Sequence, residues 1–271
     1  MPHLEVNGAT IYYETEGHPG KPAIILIHAG IATLRMWDPL TPALADDHYV
    51  IRYDTRGSGG TTADSVDFSD RTDARDILDH LGVATATVIG CSRGGGIAID
   101  LALESPHRIA GLVTICSGPS GLPEVAPTDR ENAAIDRLDR AFEAGDWARL
   151  NELEVRLWAL GTGRDPATLD PGFVELAYEL NRPNLEHADE HPTPAPLDPP
   201  AFDRLVDITV PTLVTVGDHD LTEVLAAFEF LITSIPHADS ARFADSAHLP
   251  SVEQADVFSR TLADWLAHHG L

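Results

Sequence analysis

The sequence predicts an α/β protein, a parallel sheet covered by helices on both faces. Three observations carry that expectation. Strand-like apolar runs alternate with amphipathic helical stretches over most of the 271 residues, the rhythm of parallel strands joined by crossover helices. Ala23-Ile24-Ile25-Leu26-Ile27-His28 is apolar without alternation, as a strand buried on both faces must be. Gly90-Cys91-Ser92-Arg93-Gly94 stands between a β-branched run and a helical one. A strand-to-helix turn that tight leaves no room for side chains two residues before or after the serine.

The elements follow in order. Residues 4–14, with Asn7-Gly8 between two short runs, read as a β-hairpin. Strands are expected at 23–27, 49–53, 86–90, 109–116 and 212–216, with a weaker one at 240–243. Amphipathic helices fit 42–46 and 72–81, and a helical stretch follows the serine at 97–104. A last helix is expected over 251–268, with Val257, Leu262, Trp265 and Leu266 on its apolar side. Between residues 119 and 200 no strong strand appears. Helical patterns fit 130–144, 147–160 and 173–181, and Pro192, Pro194, Pro196, Pro199 and Pro200 mark an extended return. The expected organisation is a core of residues 1–118 and 201–271, with 119–200 inserted as a helical cap over the carboxyl edge of the sheet.

Composition bounds the partners. Hydrophobic residues make up 43% of the chain, enough for a sizeable core. The net charge of −25 repels nucleic acid and anionic lipid, so a small molecule is the expected partner, bound by a monomer or a homodimer. The first 14 residues carry Glu5 and Glu14 and no long apolar run, so no signal peptide is expected there. With no run of bilayer length, the expected location is cytoplasmic. Cys91 and Cys116 each close an expected core strand and read as reduced, buried thiols.

The residues that carry chemistry lie in loops after strands. Ser92 sits where a nucleophile elbow would place it, at the crest of the turn with the next backbone N–H at a helix start. A serine needs a base, and the base needs an orienting acid. After the elbow the chain offers Gly217-Asp218-His219-Asp220 behind one strand and Asp245-Ser246-Ala247-His248-Leu249-Pro250 behind another. The order acid then histidine selects His248 as base. His219 follows the wrong strand. Asp220 is favoured over Asp218 as the acid, with Asp218 and Asp245 as candidates for holding their turns. Backbone N–H groups of Gly30 and Arg93 are the candidate oxyanion donors, and His28 is expected to brace the Gly30 loop. Candidate pocket residues are His28, Ala29, Ile31, Trp37 and Trp158, with Phe173 and Tyr178 as further aromatics.

Two other motifs read as structural. Asp54-Thr55-Arg56-Gly57-Ser58-Gly59-Gly60 lacks the Gly-Lys-Ser/Thr ending of a phosphate-binding loop and the spacing of a dinucleotide fingerprint, so Asp54 and Arg56 are expected to pin neighbouring loops. His187 and His191 are four apart, but no glutamate follows His187 and no third ligand is evident. Neither a metal nor a cofactor is expected.

Together, His28-Ala29-Gly30, Asp54-x-Arg56-Gly57-x-Gly59, Gly90-x-Ser92-x-Gly94-Gly95, Gly217-x-x-Asp220 and His248-Leu249-Pro250 resemble the α/β-hydrolase superfamily over nearly the whole chain. The resemblance implies a mostly parallel eight-stranded sheet and hydrolysis through a Ser-His-Asp triad. Arg52-Tyr53-Asp54-Thr55-Arg56-Gly57 and Met36-Trp37 look like the 3-oxoadipate enol-lactonase branch, whose substrate is a small anionic enol-lactone. Two positions depart from the pattern. Ala29 replaces the usual glycine after His28, and Arg93 stands where the lactonase branch commonly has methionine.

The reading is therefore a serine hydrolase acting on an ester or lactone through an acyl-enzyme. Arg93 could pair with a substrate carboxylate or turn away into a salt bridge. Alternatives on the same triad are C–C bond hydrolysis and cofactor-free perhydrolysis. An alternative of another kind is a non-catalytic ligand-binding receptor of this fold.

Overall fold

The computed structural model describes residues 2–271. Nine strands form the main sheet, one more than the eight expected. Eight lie along its path: β1 (His3–Val6), β2 (Ala9–Glu16), β3 (Ala23–Ile27), β4 (Tyr49–Tyr53), β5 (Ala86–Cys91), β6 (Ile109–Ile115), β7 (Thr212–Gly217) and β8 (Asp239–Phe243), and the two-residue strand Thr62–Ala63 pairs antiparallel with β2 off that path. The spatial order of the eight is β1-β2-β4-β3-β5-β6-β7-β8. The β1–β2 and β2–β4 pairs are antiparallel. All five pairs from β4 onward are parallel. The N-terminal hairpin thus adds an antiparallel margin to a parallel sheet. Its polar outer strand, half exposed, suits an edge.

Why the sheet is organised around β3 follows from its composition. Its five residues, AIILI, are all buried, as are those of the flanking β4 and β5. From β3 the chain passes to β4 on one side and later to β5 on the other. That reversal opens a crevice beyond the carboxyl ends of β3 and β5. The loop holding Gly30 and the turn holding Ser92 both begin there.

Helices cover the sheet: α1 (Thr41–Ala45), α2 (Asp70–His80) and α3 (Arg93–Glu104) lie in the first half of the chain. Between β6 and β7 come α4 (Asp129–Glu143), α5 (Trp147–Glu154) and α6 (Pro171–Asn181). The chain closes with α7 (Thr222–Ser234), α8 (Pro250–Glu253) and α9 (Ala255–His269). α4 starts with a capping box, in which Thr128 and Glu131 satisfy each other's backbone N–H groups. Glu131 also accepts from the Thr222 N–H, tying the starts of α4 and α7 together.

Three local expectations need correction. The stretch expected as one helix over 147–160 is α5 followed by a π turn at Val155–Ala159. The expected C-terminal helix is broken at Gln254, whose φ of −122° and ψ of 48° leave the helical region. The break shifts the helix face: Val257 is 45% exposed, and Phe258 takes its place in the core. The helix α7 lies where the sequence predicts no element. Among the described residues no helix is long and apolar enough to cross a membrane.

Candidate active site

Ser92 links β5 to α3 with φ 53° and ψ −119°. A non-glycine residue at such a φ costs roughly 1–3 kcal/mol and must be held there by its surroundings. Here the backbone on either side is clamped. The Ser92 N–H donates to the Ile115 carbonyl at 2.8 Å, and the Ser92 carbonyl accepts from the Ser117 hydroxyl at 2.8 Å. Glycine makes the turn possible. A Cβ at Gly90 would overlap the Gly94 carbonyl oxygen, and one at Gly94 would overlap the carbonyls of Ile27 and His28. The close approach of α3 to β3 therefore explains both glycines of the pentapeptide.

His248 lies in the loop after β8, and Asp220 in the turn after β7. The turn after β7 can approach that loop because Gly217 has no Cβ to strike the Ala247 carbonyl. The His248 ring donates from Nδ1 to Asp220, 2.7 Å from Oδ2 and 3.0 Å from Oδ1. Asp220 Oδ1 also accepts the Leu221 N–H at 2.7 Å. The Nδ1 proton leaves Nε2 as the basic nitrogen. Ser92 and His248 line the same cavity. Among the described residues the ring hydrogen-bonds Asp220 and not Ser92, a contact that free enzymes commonly tighten only with substrate.

The neighbours resolve the competing acids. Asp218 is exposed and pairs with Arg242 at 2.7 Å on the surface. Its backbone N–H donates to the Phe243 carbonyl, so its side chain does not hold the turn as expected. His219 is exposed. Asp245 contributes its carbonyl to Arg164 at 2.8 Å. Both cysteines are buried free thiols. Burial, with the Asp220 charge nearby, pushes both thiols well above their ordinary range, so they stay protonated beside the site.

The Gly30 loop faces the elbow: a Cβ at Gly30 would sit 3.9 Å from Arg93 Cβ. Among the described residues, the N–H groups of Gly30 and Arg93 have no protein acceptor. Arg93 opens α3, where the first backbone N–H groups lack intrahelical partners and the helix dipole favours negative charge. His28 braces this loop. Its Nε2 accepts the Thr55 N–H at 2.9 Å, and Nδ1 donates to the Ala29 carbonyl at 2.7 Å. Burial lowers its pKa, opposed by the Asp54 charge, and keeps the ring neutral. Asp54 accepts from Leu34 and Gly60, and Arg56 forms a buried two-point pair with Asp73, so both pin neighbouring segments.

Two features were invisible in the sequence. Asn184 donates to the carbonyls of Gly30 and Ala32, both at 3.1 Å, and accepts from the Gly59 N–H. It joins the loop after β3 to the loop after β4, and nothing local marks a lone asparagine for that task. The second is acidity in the cavity. Asp100, Glu124 and Glu223 line it. Burial raises the pKa of Asp100 and Glu223, and the charge of Asp220 adds to the effect on Glu223.

The candidate pocket residues divide. Trp158 lines the cavity, its ring centroid 5.0 Å from that of His248. His28, Ala29 and Trp37 are buried in the core, and Ile31 is not among the residues lining the cavity. Phe173 is likewise in the core cluster, and Tyr178 packs against that cluster. Sequence alone cannot separate a core aromatic from a wall aromatic, because both sit at helical spacing. The Arg93 guanidinium pairs with Asp70 at 3.1 Å and reaches the Arg56 carbonyl, which is the salt-bridge outcome of the two anticipated. His187 Nε2 donates to the Gly59 carbonyl at 2.9 Å.

A strained serine between strand and helix, with a buried acid–histidine pair after later strands, defines a class of hydrolase. Residues 22–255 match the family model of the alpha/beta hydrolase fold, and the chain belongs to that family. It is 26% identical to 3-oxoadipate enol-lactonase 2 of Acinetobacter baylyi, over 96% of this chain and 94% of that protein. It is 31% identical to a pimeloyl-[acyl-carrier protein] methyl ester esterase of Aromatoleum aromaticum, over 85% and 92%. The crystal structure of the enol-lactonase from Burkholderia xenovorans LB400 superposes with a TM-score of 0.79, at 26% identity, over 98% of this chain and 100% of that one. The chain is an ester-hydrolysing enzyme related to enol-lactonases.

Proposed function

We propose that this enzyme cleaves a neutral carboxylic ester or lactone of a small molecule through Ser92, His248 and Asp220. His248 Nε2 takes the hydroxyl proton as Ser92 Oγ attacks the carbonyl carbon. The N–H groups of Gly30 and Arg93 receive the developing oxyanion. Asp220 holds the imidazole with Nε2 free and stabilises its charged form. The alcohol leaves with the proton from His248, and a water activated by the same nitrogen releases the acid from Ser92. Residues 119–200 act as a cap between the core segments 1–118 and 201–271. Leu122, Pro123, Val125 and Trp158 from that segment supply apolar walls to the cavity.

One observation carries the preference for a neutral substrate. Asp100, Glu124 and Glu223 line the cavity, Asp100 with Arg71 3.8 Å away, while Arg93, which also lines it, is already paired with Asp70. A substrate carboxylate would meet like charge without a free partner. The 3-oxoadipate enol-lactone, which is anionic, fits this lining less well than an uncharged ester or lactone. Steady-state kinetics on p-nitrophenyl acetate, γ-butyrolactone and 3-oxoadipate enol-lactone test this. The neutral substrates should give the higher kcat/KM; an enol-lactone preferred by tenfold or more would return the assignment to the lactonase branch.

A further inference from the structure

A second cavity of ≈350 Å³ lies among α4, α5, the π turn and the loop after it. It shares no lining residue with the Ser92 cavity. Five arginines line it: Arg130, Arg137, Arg149, Arg156 and Arg164. In a chain with 43 acidic side chains against 18 basic ones, such a gathering runs against the overall charge.

Two of the five are engaged. Arg149 pairs with Glu152 at 2.5 Å, and Arg164 with Glu253 at 2.6 Å. The guanidinium groups of Arg130, Arg137 and Arg156 have no carboxylate partner and no hydrogen bond to protein among the described residues. The loop is shaped to admit one of them. Gly163 has a φ of +88°, and a Cβ there would occupy the place of Arg130 Nη1. Three unpaired guanidinium groups around one recess repel one another. An anion between them removes that repulsion and offers each planar fork a two-point contact. The volume lies at the lower end of the range for small-ligand pockets, roughly 300–1,000 Å³.

We propose that this cavity binds a compact oxyanion group of two or more negative charges: the phosphates of a phosphorylated small molecule, or the carboxylates of a di- or tricarboxylic acid. The site is separate from the hydrolytic one. It does not depend on the assignment of Ser92.

The test is isothermal titration of the purified full chain with inorganic pyrophosphate and with citrate, each at ionic strength matched by sodium chloride. At least one probe binds saturably at one site, with a Kd below about 1 mM. The tighter probe identifies the source of the anion, phosphate or polycarboxylate. The double variant Arg130→Gln/Arg137→Gln weakens binding at least about tenfold, since two charge-assisted contacts are lost. Arg156→Gln gives a second reading on a less altered protein, with thermal denaturation confirming that each variant is folded. Arg182→Gln, at an arginine outside the cavity, and Ser92→Ala both retain the wild-type affinity. Absence of saturable binding by both probes overturns the proposal. So does undiminished affinity in the folded arginine variants.

Discussion

His248 Nδ1 lies 2.7 Å from Asp220 Oδ2, and the two side chains are 3% and 0% exposed. Hidden from solvent, this pair fixes which ring nitrogen carries a proton. Asp218, two residues away, is tied to Arg242 at the surface. Asp220→Asn should therefore lower kcat for a p-nitrophenyl ester by about 10⁴-fold, the scale expected when the imidazole tautomer is lost. Asp218→Asn should leave it within about twofold, a surface substitution clear of the site. Comparable losses in both variants would contradict the pairing.

The elbow makes a stability prediction. In Gly94→Ala the new methyl would meet the carbonyls of Ile27 and His28. Neither is the end of a flexible side chain, so α3 must move off β3. The cost should exceed about 3 kcal/mol, as for other overpacked core positions. Gly96→Ala, where the nearest atom is 3.6 Å from the added carbon, should be nearly neutral. Urea denaturation of both variants distinguishes these outcomes.

Asn184 should act on rate more than on affinity. It holds the Gly30 and Ala32 carbonyls and so steadies the loop that carries the Gly30 N–H. Asn184→Ala is expected to lower kcat by about 10–100-fold, less than the 10²–10³ seen for outright loss of an oxyanion donor. KM should change little. A rise in KM with kcat unchanged would show that Asn184 shapes the pocket instead.

A pH dependence follows from His28. Burial depresses its folded pKa, while the unfolded chain keeps an ordinary value near 6.5. As pH falls below that value the unfolded state takes up the proton first, so the contribution of His28 to stability is present above about 6.5 and is lost at lower pH. Unfolding free energies measured by urea at pH 7.5 and 5.5 should fall between the two. In His28→Gln the fall should be smaller, because one of the groups responsible is gone. An unchanged slope would mean that His28 is not held neutral by the fold.

The elbow was legible in the sequence because its constraints are local. Gly90 and Gly94 must lack a Cβ for a strand to turn into a helix within one residue. The parallel strands were legible for a similar reason, since burial on both faces removes polar alternation from 23–27 and 86–90. What was hidden depends on contacts across the chain. The break at Gln254 rotates α9 and exchanges Val257 for Phe258 in the core. Trp37 and Trp158 look alike in the sequence, yet one is wholly buried and the other faces His248. The acidic lining joins Asp100 on α3 with Glu223 on α7, residues more than a hundred positions apart.

The central claim concerns one hydroxyl, and active-site labelling addresses it directly. Intact-mass and peptide analysis after treatment with a fluorophosphonate should find one adduct per chain, on Ser92. Ser92→Ala should take up no label, and His248→Gln should label at least a hundredfold more slowly, within the ~10²–10⁴ range for loss of a general base. An unlabelled Ser92 in protein that still hydrolyses p-nitrophenyl acetate would contradict the account.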